Sequence, residues 1–338
     1  IGQYQILNLL GEGGMGYVYR ARHKNKKIAQ MRGDVAIKLI KSEFARDKQL
    51  QERFVQEAGL GMQIQHPNIG RVIDFYEDEE QEIIAFIMTY IDGTELKEKI
   101  SNNGLSIEET ISYLKPIAQA VDYLHSQNII HRDLKPANIK IQSDGTPIIL
   151  DFGIAKSIEE QDNQMTQTGM AMGTQAYMAP EQLDAKNVDG KADQYAMSMM
   201  IYEMLSGLLP WKKDESGVRI AVAKMTNKLI PLHEKSSVSK DVSEVIMKGL
   251  SLDPSNRYDN CTALVSALER AHTQSQQNLK NEEERKREKL EKERLEKEKL
   301  ERERIEAEKV EVEKLEKERL EKERIDAEKR EKERIEKE

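Results

Sequence analysis

Cysteine is nearly absent: Cys261 stands alone in 338 residues. One thiol builds neither a disulfide framework nor a cysteine-based zinc site, and a reducing compartment is its natural setting. An excess of basic charge is missing too, the formal net charge being −8. That argues against non-specific nucleic-acid binding, which needs a basic footprint. Long apolar runs are also lacking. The longest, Tyr195 to Leu209, is interrupted by Glu203 and Gly207 and falls short of a membrane span, so a buried helix is expected there. No signal-peptide pattern opens the chain. The first residue is not Met, so a fragment or a processed product is expected and the missing targeting signal carries little weight. A soluble, cytoplasmic protein is the expectation, with membrane attachment through a part outside this chain left open.

Glycine and proline vanish after Ser275, and from Leu279 to Glu338 the chain is almost all Glu, Lys and Arg. From Leu290 the apolar residues recur every five positions, at 290, 295, 300, 305, 310, 315, 320 and 325. A five-residue step spirals around a helix, whereas a coiled coil needs an average step of about 3.5. Pairs such as Glu293 with Lys297 and Glu298 with Arg302 sit at i,i+4 spacing. A solitary, solvated helix acting as a spacer is expected, with partial disorder or a partner-dependent coiled coil as alternatives. The balanced charge argues against a membrane or nucleic-acid arm. About 270 residues remain for a core, enough for one large domain or two packed lobes.

The most informative stretch is His131-Arg132-Asp133-Leu134-Lys135-Pro136-Ala137-Asn138. A turn that gathers a proton acceptor (Asp133), a cation (Lys135) and a metal-binding amide (Asn138) can receive a hydroxyl, neutralise a phosphoryl group and ligate Mg²⁺. Upstream, Gly11-Glu12-Gly13-Gly14-Met15-Gly16 joins two strand-like segments, Tyr4 to Leu10 and Tyr17 to Ala21. Its glycines let backbone N–H groups approach phosphates. A dinucleotide site would need a helix next, but Tyr17-Val18-Tyr19 has β propensity, favouring a flap over a nucleotide. A flexible hairpin tip is the bland alternative.

Residues 22–34 are polar and basic and read as a loop. The apolar strand Val35 to Ile40 holds Lys38, which needs an anionic partner if buried. A helix over about 47–63 offers Glu57, on one side with Leu50 and Phe54. Gly59 and Gly61 weaken that helix, which suggests easy displacement. Strands at about 70–76 and 83–90 follow. Ser106 to Glu109 is a capping box opening a helix, which Pro116 should kink. After Asn138 come a strand at 139–141, a turn at Ser143-Asp144-Gly145, a strand at 147–150, and Asp151-Phe152-Gly153.

Together these motifs resemble the eukaryotic-type protein kinases, and more closely the bacterial Ser/Thr kinases of that superfamily. The resemblance covers residues 1 to about 271. It implies an α+β bilobal fold, with a β-rich N-lobe over about 1–91 carrying one regulatory helix and an α-rich C-lobe over about 92–271. The tail occupies 272–338. The implied activity is transfer of the γ-phosphate of ATP to Ser/Thr hydroxyls of proteins, with Mg²⁺, or Mn²⁺ in its place, as the metal. By the same resemblance, Leu10, Gly11, Glu12, Gly13, Gly14, Met15, Gly16, Tyr17 and Val18 form the glycine-rich lip of the ATP site, and Ala36 packs on adenine. Met88 is the gatekeeper, and Thr89, Tyr90 and Ile91 are the hinge. Lys38 holds the α/β-phosphates and Glu57 positions it. Asp133 is the catalytic aspartate, and Asn138 and Asp151 are the metal ligands. Lys135 marks Ser/Thr specificity.

Thr174 belongs to the substrate platform, near Lys135 and Asp133. Thr166 and Thr168 sit where such kinases autophosphorylate, and Arg132 is placed to pair with the added phosphate. A kinase-domain dimer would serve that reaction in trans. Asp193 braces the catalytic turn, and Glu181 with Arg257 forms a buried ion pair. Two departures stand out: Gly61 replaces a larger spine residue, and Lys140 lies near the adenine floor where an apolar residue is common. The rival reading is a catalytically idle scaffold acting through its tail. Such proteins usually lose a lysine, aspartate or metal ligand, and none is missing here.

Overall fold

A computed structural model describes residues 1–13, 16–41, 47–78, 80–101, 103–150, 175–183, 188–211 and 215–335. Gly14, Met15, Asp151, Thr166, Thr168 and Thr174 therefore lie outside the described residues. The chain divides into two compact units, Ile1–Gln274 and Ser275–Glu338.

The first unit begins with a five-stranded antiparallel sheet in the order β1-β2-β3-β5-β4. The strands are β1 (Tyr4–Glu12), β2 (Gly16–His23), β3 (Val35–Ile40), β4 (Val72–Asp78) and β5 (Ile83–Thr89). Alternation decides which side chain faces where. Ala36, Ile40, Ile84, Phe86 and Met88 pack with Phe54 and Ala58 of α2 (Lys48–Gln63). Val35, Ile37, Ala85 and Ile87 gather on a separate cluster with Tyr4 and Ala21. Helix α2 runs unbroken through Gly59 and Gly61.

The segment 22–34, expected as a loop, contains a helix, α1 (Lys26–Arg32). It has no buried residue, which is why no apolar period announced it. Local polar contacts hold it instead. The Asn25 side chain accepts from the N–H groups of Lys27 and Ile28, a cap that contributes about 1 kcal/mol in typical helices. Asp34 then receives both Arg20 and Arg22 at 2.6 Å.

The remainder of this unit is mainly helical. After the short β6 (Thr94–Glu95) and α3 (Leu96–Lys99), α4 spans Ile107–Ser126. Ser106 Oγ accepts from Glu109 N at 3.1 Å, as the capping box predicts. The stripe at 111, 114, 118, 121 and 124 is buried. The helix is continuous through Pro116, so the proline does not end it. Strands β7 (Ile139–Ile141) and β8 (Pro147–Ile149) complete a small sheet with β6. Then come α5 (Pro180–Leu183), α6 (Gly190–Ser206), α7 (Gly217–Met225), α8 (Lys240–Gly249) and α9 (Cys261–Ile335).

The apolar run from Tyr195 lies in α6 and packs against α4 in one core. No helix among the described residues is long and apolar enough to cross a membrane. Asp122 accepts from the N–H groups of Cys261 and Thr262, both at 2.9 Å, capping the start of α9. In the second unit α9 is helical to Ile335, with Leu290 73% and Leu300 60% exposed, so the five-residue spiral makes no buried seam. Its ion pairs run in both directions: Glu282 meets Lys286 at 2.7 Å and Glu301 meets Arg304 at 2.8 Å with the carboxylate first, while the two glutamates singled out from the sequence pair backwards. Glu293 meets Lys289 at 3.9 Å and Glu298 meets Arg294 at 3.5 Å. Helical side chains lean toward the N-terminus, which lets Glu293 and Glu298 reach back to the earlier of the cations that flank them.

Candidate active site

Strand β3 sets the geometry above the site. Register places Lys38 opposite Val18 on β2 and Phe86 on β5. Its Nζ is 2.9 Å from Glu57 Oε1 on α2 and 5.4 Å from the centre of the Phe86 ring. A lysine in a buried strand thus finds its carboxylate, as its cost in isolation requires.

A cleft opens beside it. Leu10, Gly11, Val18 and Ala36 line one wall, Met88, Thr89, Tyr90 and Ile91 the back, and Ala137, Asn138, Lys140 and Leu150 the floor, with Glu95 at the rim. Eight residues expected in the ATP site therefore meet in one place. Glu95, Ala137 and Leu150 were missed, because only folding brings β6 and β7 beneath the sheet. The glycines divide their work. A Cβ on Gly11 would meet nothing within 4 Å, whereas one on Gly16 would sit 2.2 Å from the Leu39 carbonyl. Gly16 is thus required by close approach of β2 to β3, while Gly11 lines the cleft. Gly13 N donates to Gly16 O at 2.8 Å, closing the turn between β1 and β2. Glu12 ends β1 and reaches Lys41 at 2.8 Å; Tyr17 pairs with Glu12 in the ladder.

The lysine singled out at the floor reaches the segment expected to be the hinge. Lys140 Nζ donates to the Ile91 carbonyl at 3.3 Å and lies 5.8 Å from the Tyr90 ring centre. Arg20 stands 4.5 Å from the same ring. The stem of Lys140 lines the floor while its amine meets the backbone, a familiar division for long cationic side chains.

Below the cleft, Asp133 Oδ2 accepts from Lys135 Nζ at 2.9 Å and from Asn138 Nδ2 at 3.0 Å. Asn138 Nδ2 also donates to the Asp133 carbonyl at 2.8 Å. Both bonds of Asn138 use its nitrogen, and its carboxamide oxygen is the hard donor that suits Mg²⁺. Arg132 is held at φ 61°, a left-handed conformation that costs a non-glycine residue about 1–2 kcal/mol. Asp193 holds it there, accepting from His131 N and Arg132 N, both at 2.8 Å, and from His125 Nε2 at 2.7 Å. Burial alone would push the Asp193 carboxyl up; the hydrogen bond from His125 and the charges of His131 and His125 outweigh it and hold the carboxyl below its ordinary value. Burial would likewise lower His125, but Asp193, with Asp122 and Asp189, raises it.

The segment around Tyr177 to Gln182 is tied down on several sides. Arg257 forks onto Glu181 at 2.6 and 2.8 Å. Gln182, not anticipated, accepts from Ala179 N at 2.9 Å and donates to the Arg132 carbonyl at 3.2 Å. Tyr177 donates to Glu203 Oε2 on α6.

The family model described as "Protein kinase domain" matches residues 4–269. The chain belongs to the protein kinase domain family. The kinase domain is 33% identical over 270 residues to a probable serine/threonine-protein kinase of Clostridium perfringens, covering 79% of this chain and 38% of that protein. It is 33% identical over 274 residues to the serine/threonine-protein kinase PknB of Mycobacterium tuberculosis, covering 80% of this chain and 43% of that one. The chain thus spans about two fifths of the length of these curated relatives. Among solved structures, the PknI kinase domain of M. tuberculosis superposes with a TM-score of 0.62 at 24% identity, covering 80% of this chain and 96% of that one. This likeness bears on the fold: a β-sheet N-lobe and a helical C-lobe.

Proposed function

We propose that this kinase domain is an ATP-dependent Ser/Thr protein kinase. The observation that carries the reading is the Lys38–Glu57 contact at 2.9 Å, on the strand that also brings Ala36 to the cleft, since phosphoryl transfer in this family needs that pair in place. Catalysis here is mostly positioning and electrostatics. The cleft takes the adenine against Ala36 and the hinge. Lys38 neutralises phosphate charge, and Lys135, bonded to Asp133, stands where the transferred group would pass. Asp133 orients the Ser/Thr hydroxyl and accepts its proton. Asn138, with Asp151 by resemblance, would hold Mg²⁺, which supplies charge neutralisation at the phosphates when bound.

Proteins with accessible Ser or Thr are the proposed substrates, and Lys135 together with the names of the relatives supports that choice. Regulation by autophosphorylation at Thr166 and Thr168, with Arg132 as the phosphate's partner, extends the proposal, as do a dimer acting in trans, a spacer role for the tail and a cytoplasmic setting. The test is phosphate transfer from radiolabelled ATP. Lys38→Met and Asp133→Asn are expected to abolish it while circular dichroism stays native. Undiminished transfer by both variants would sink the mechanism. Equal rates for the Thr166→Ala/Thr168→Ala double variant and the native chain would remove the regulatory part alone.

A further inference from the structure

Helix α7 buries two residues, Ile220 and Lys224, which share its inner face at i,i+4 spacing. Lys224 is 1% exposed. Among the described residues no carboxylate meets it. Its Nζ donates instead to three carbonyls of one short segment: Gln175 at 2.7 Å, Ala176 at 2.9 Å and Met178 at 2.6 Å. The rings of Trp211 and Tyr195 stand 5.3 and 5.6 Å from the amine. A methionine or leucine would fill this position without the desolvation cost of a charge. The ammonium does what neither can, turning three peptide planes of one loop toward a single point.

That loop lies between Thr174 and Ala179-Pro180-Glu181, and Gln182 links its far end to the backbone of Arg132 in the catalytic turn. We propose that Lys224 is a positioning residue for the protein substrate: its ammonium fixes the shape of residues 175–178, the platform on which the acceptor segment rests, and loss of its proton loosens that platform. The inference rests on the protein-kinase reading. Its chemistry follows from donor count. Three carbonyls need three N–H donors, which the ammonium has and the neutral amine lacks; the neutral form turns a lone pair toward an oxygen. Burial lowers the Lys224 pKa from its ordinary value to about 7, and the three accepting carbonyls oppose that push, so the proton is lost at or above neutrality. Of the ionisable groups on neighbouring elements, Tyr195 presents its ring to the amine, Arg257, paired with Glu181, lies 5.0 Å from that same ring, and Tyr177 of the platform donates to Glu203.

The experiment measures KM for ATP and for a peptide copying residues 161–172, between pH 6.5 and 9, in the whole chain and in Lys224→Met. The native chain should show peptide KM rising at least fivefold across the alkaline half of that range. In Lys224→Met it should be high throughout and independent of pH, while KM for ATP stays within twofold. Hydrogen exchange of residues 175–183, compared at one pH, supplies a readout that needs no catalysis; Lys224→Met should exchange at least tenfold faster there. A native peptide KM that is flat with pH, or exchange unchanged by the substitution, overturns the proposal. Should Lys224→Met fail to fold, the native pH profile decides alone. If the native chain transfers phosphate to no Ser/Thr acceptor, the kinase reading falls and takes the substrate role with it, whereas intact transfer with unaltered exchange sinks only the role of Lys224.

Discussion

Arg257 grips Glu181 through two parallel hydrogen bonds, with the guanidinium 0% and the carboxylate 8% exposed. Arg257 Nη1 also donates to the Lys191 carbonyl at 2.8 Å and Nε to that of Ser251 at 3.0 Å. The pair therefore joins α5 to the turn before α9.

Removing one member leaves the other charged and dry. Arg257→Met is expected to destabilise the folded domain by about 3–5 kcal/mol, the usual consequence of orphaning a buried ion. Glu181→Leu combined with Arg257→Met should lose less than Arg257→Met alone, because no bare carboxylate remains. Urea unfolding of the three chains checks the order. A double variant weaker than the single would contradict the account.

Asp193 and His125 make stability depend on pH in opposite directions. The folded His125 pKa is raised, so its contribution is fully present below its unfolded value of about 6.5 and is lost as pH rises through the folded value. The folded Asp193 pKa is depressed, so its contribution is present above about 3.9 and fades as pH falls through the folded value. The pair is strongest between those limits. The native chain should lose stability relative to His125→Gln as pH climbs from 6 to 9. Parallel urea-midpoint profiles for the two proteins would rule this out.

Much of this site is legible from residue order, and the rest is not for identifiable reasons. Lys38, Glu57, Asp133 and Asn138 announce themselves because charged or amide groups interrupt local patterns at spacings their chemistry demands, and Asp193 is found through the resemblance to protein kinases. Strand β3 is bounded by polar residues on one side and reads directly. Helix α1 does not, since its stability comes from the Asn25 cap and the Asp34 contacts and not from a buried face. Gln182 and Lys224 were invisible for another reason: their partners are backbone carbonyls and amides, which every residue carries and no sequence distinguishes. The need for glycine at position 16 is similar, as the atom that excludes a Cβ belongs to Leu39 on another strand.

The tail offers a test free of the catalytic chemistry. Its pairs are exposed, as with Lys289 80% and Glu293 56%, and its apolar residues form no seam. Residues 275–338 alone should be helical by circular dichroism at low salt, with a signal independent of concentration. Raising salt to about 1 M, where charges are screened beyond roughly 3 Å, should reduce the helical signal. Helicity that grows with concentration would favour a coiled coil instead.

Lys140 is expected to influence which ligands the cleft accepts. Its amine occupies the Ile91 carbonyl at 3.3 Å, so a ligand that brings its own donor to that oxygen must displace an ammonium. Lys140→Met vacates the acceptor and extends the apolar floor. A net hydrogen bond of about 0.5–1.5 kcal/mol corresponds to a gain of roughly 2–10-fold in affinity for such a ligand. A matched pair of aminopurines, differing only in the donor directed at Ile91, separates this effect from packing. Calorimetric titration should show the donor-bearing member gaining more from Lys140→Met than its partner. If both gain equally, the floor and not the carbonyl is responsible, and the lysine's contact with the hinge does not govern selectivity.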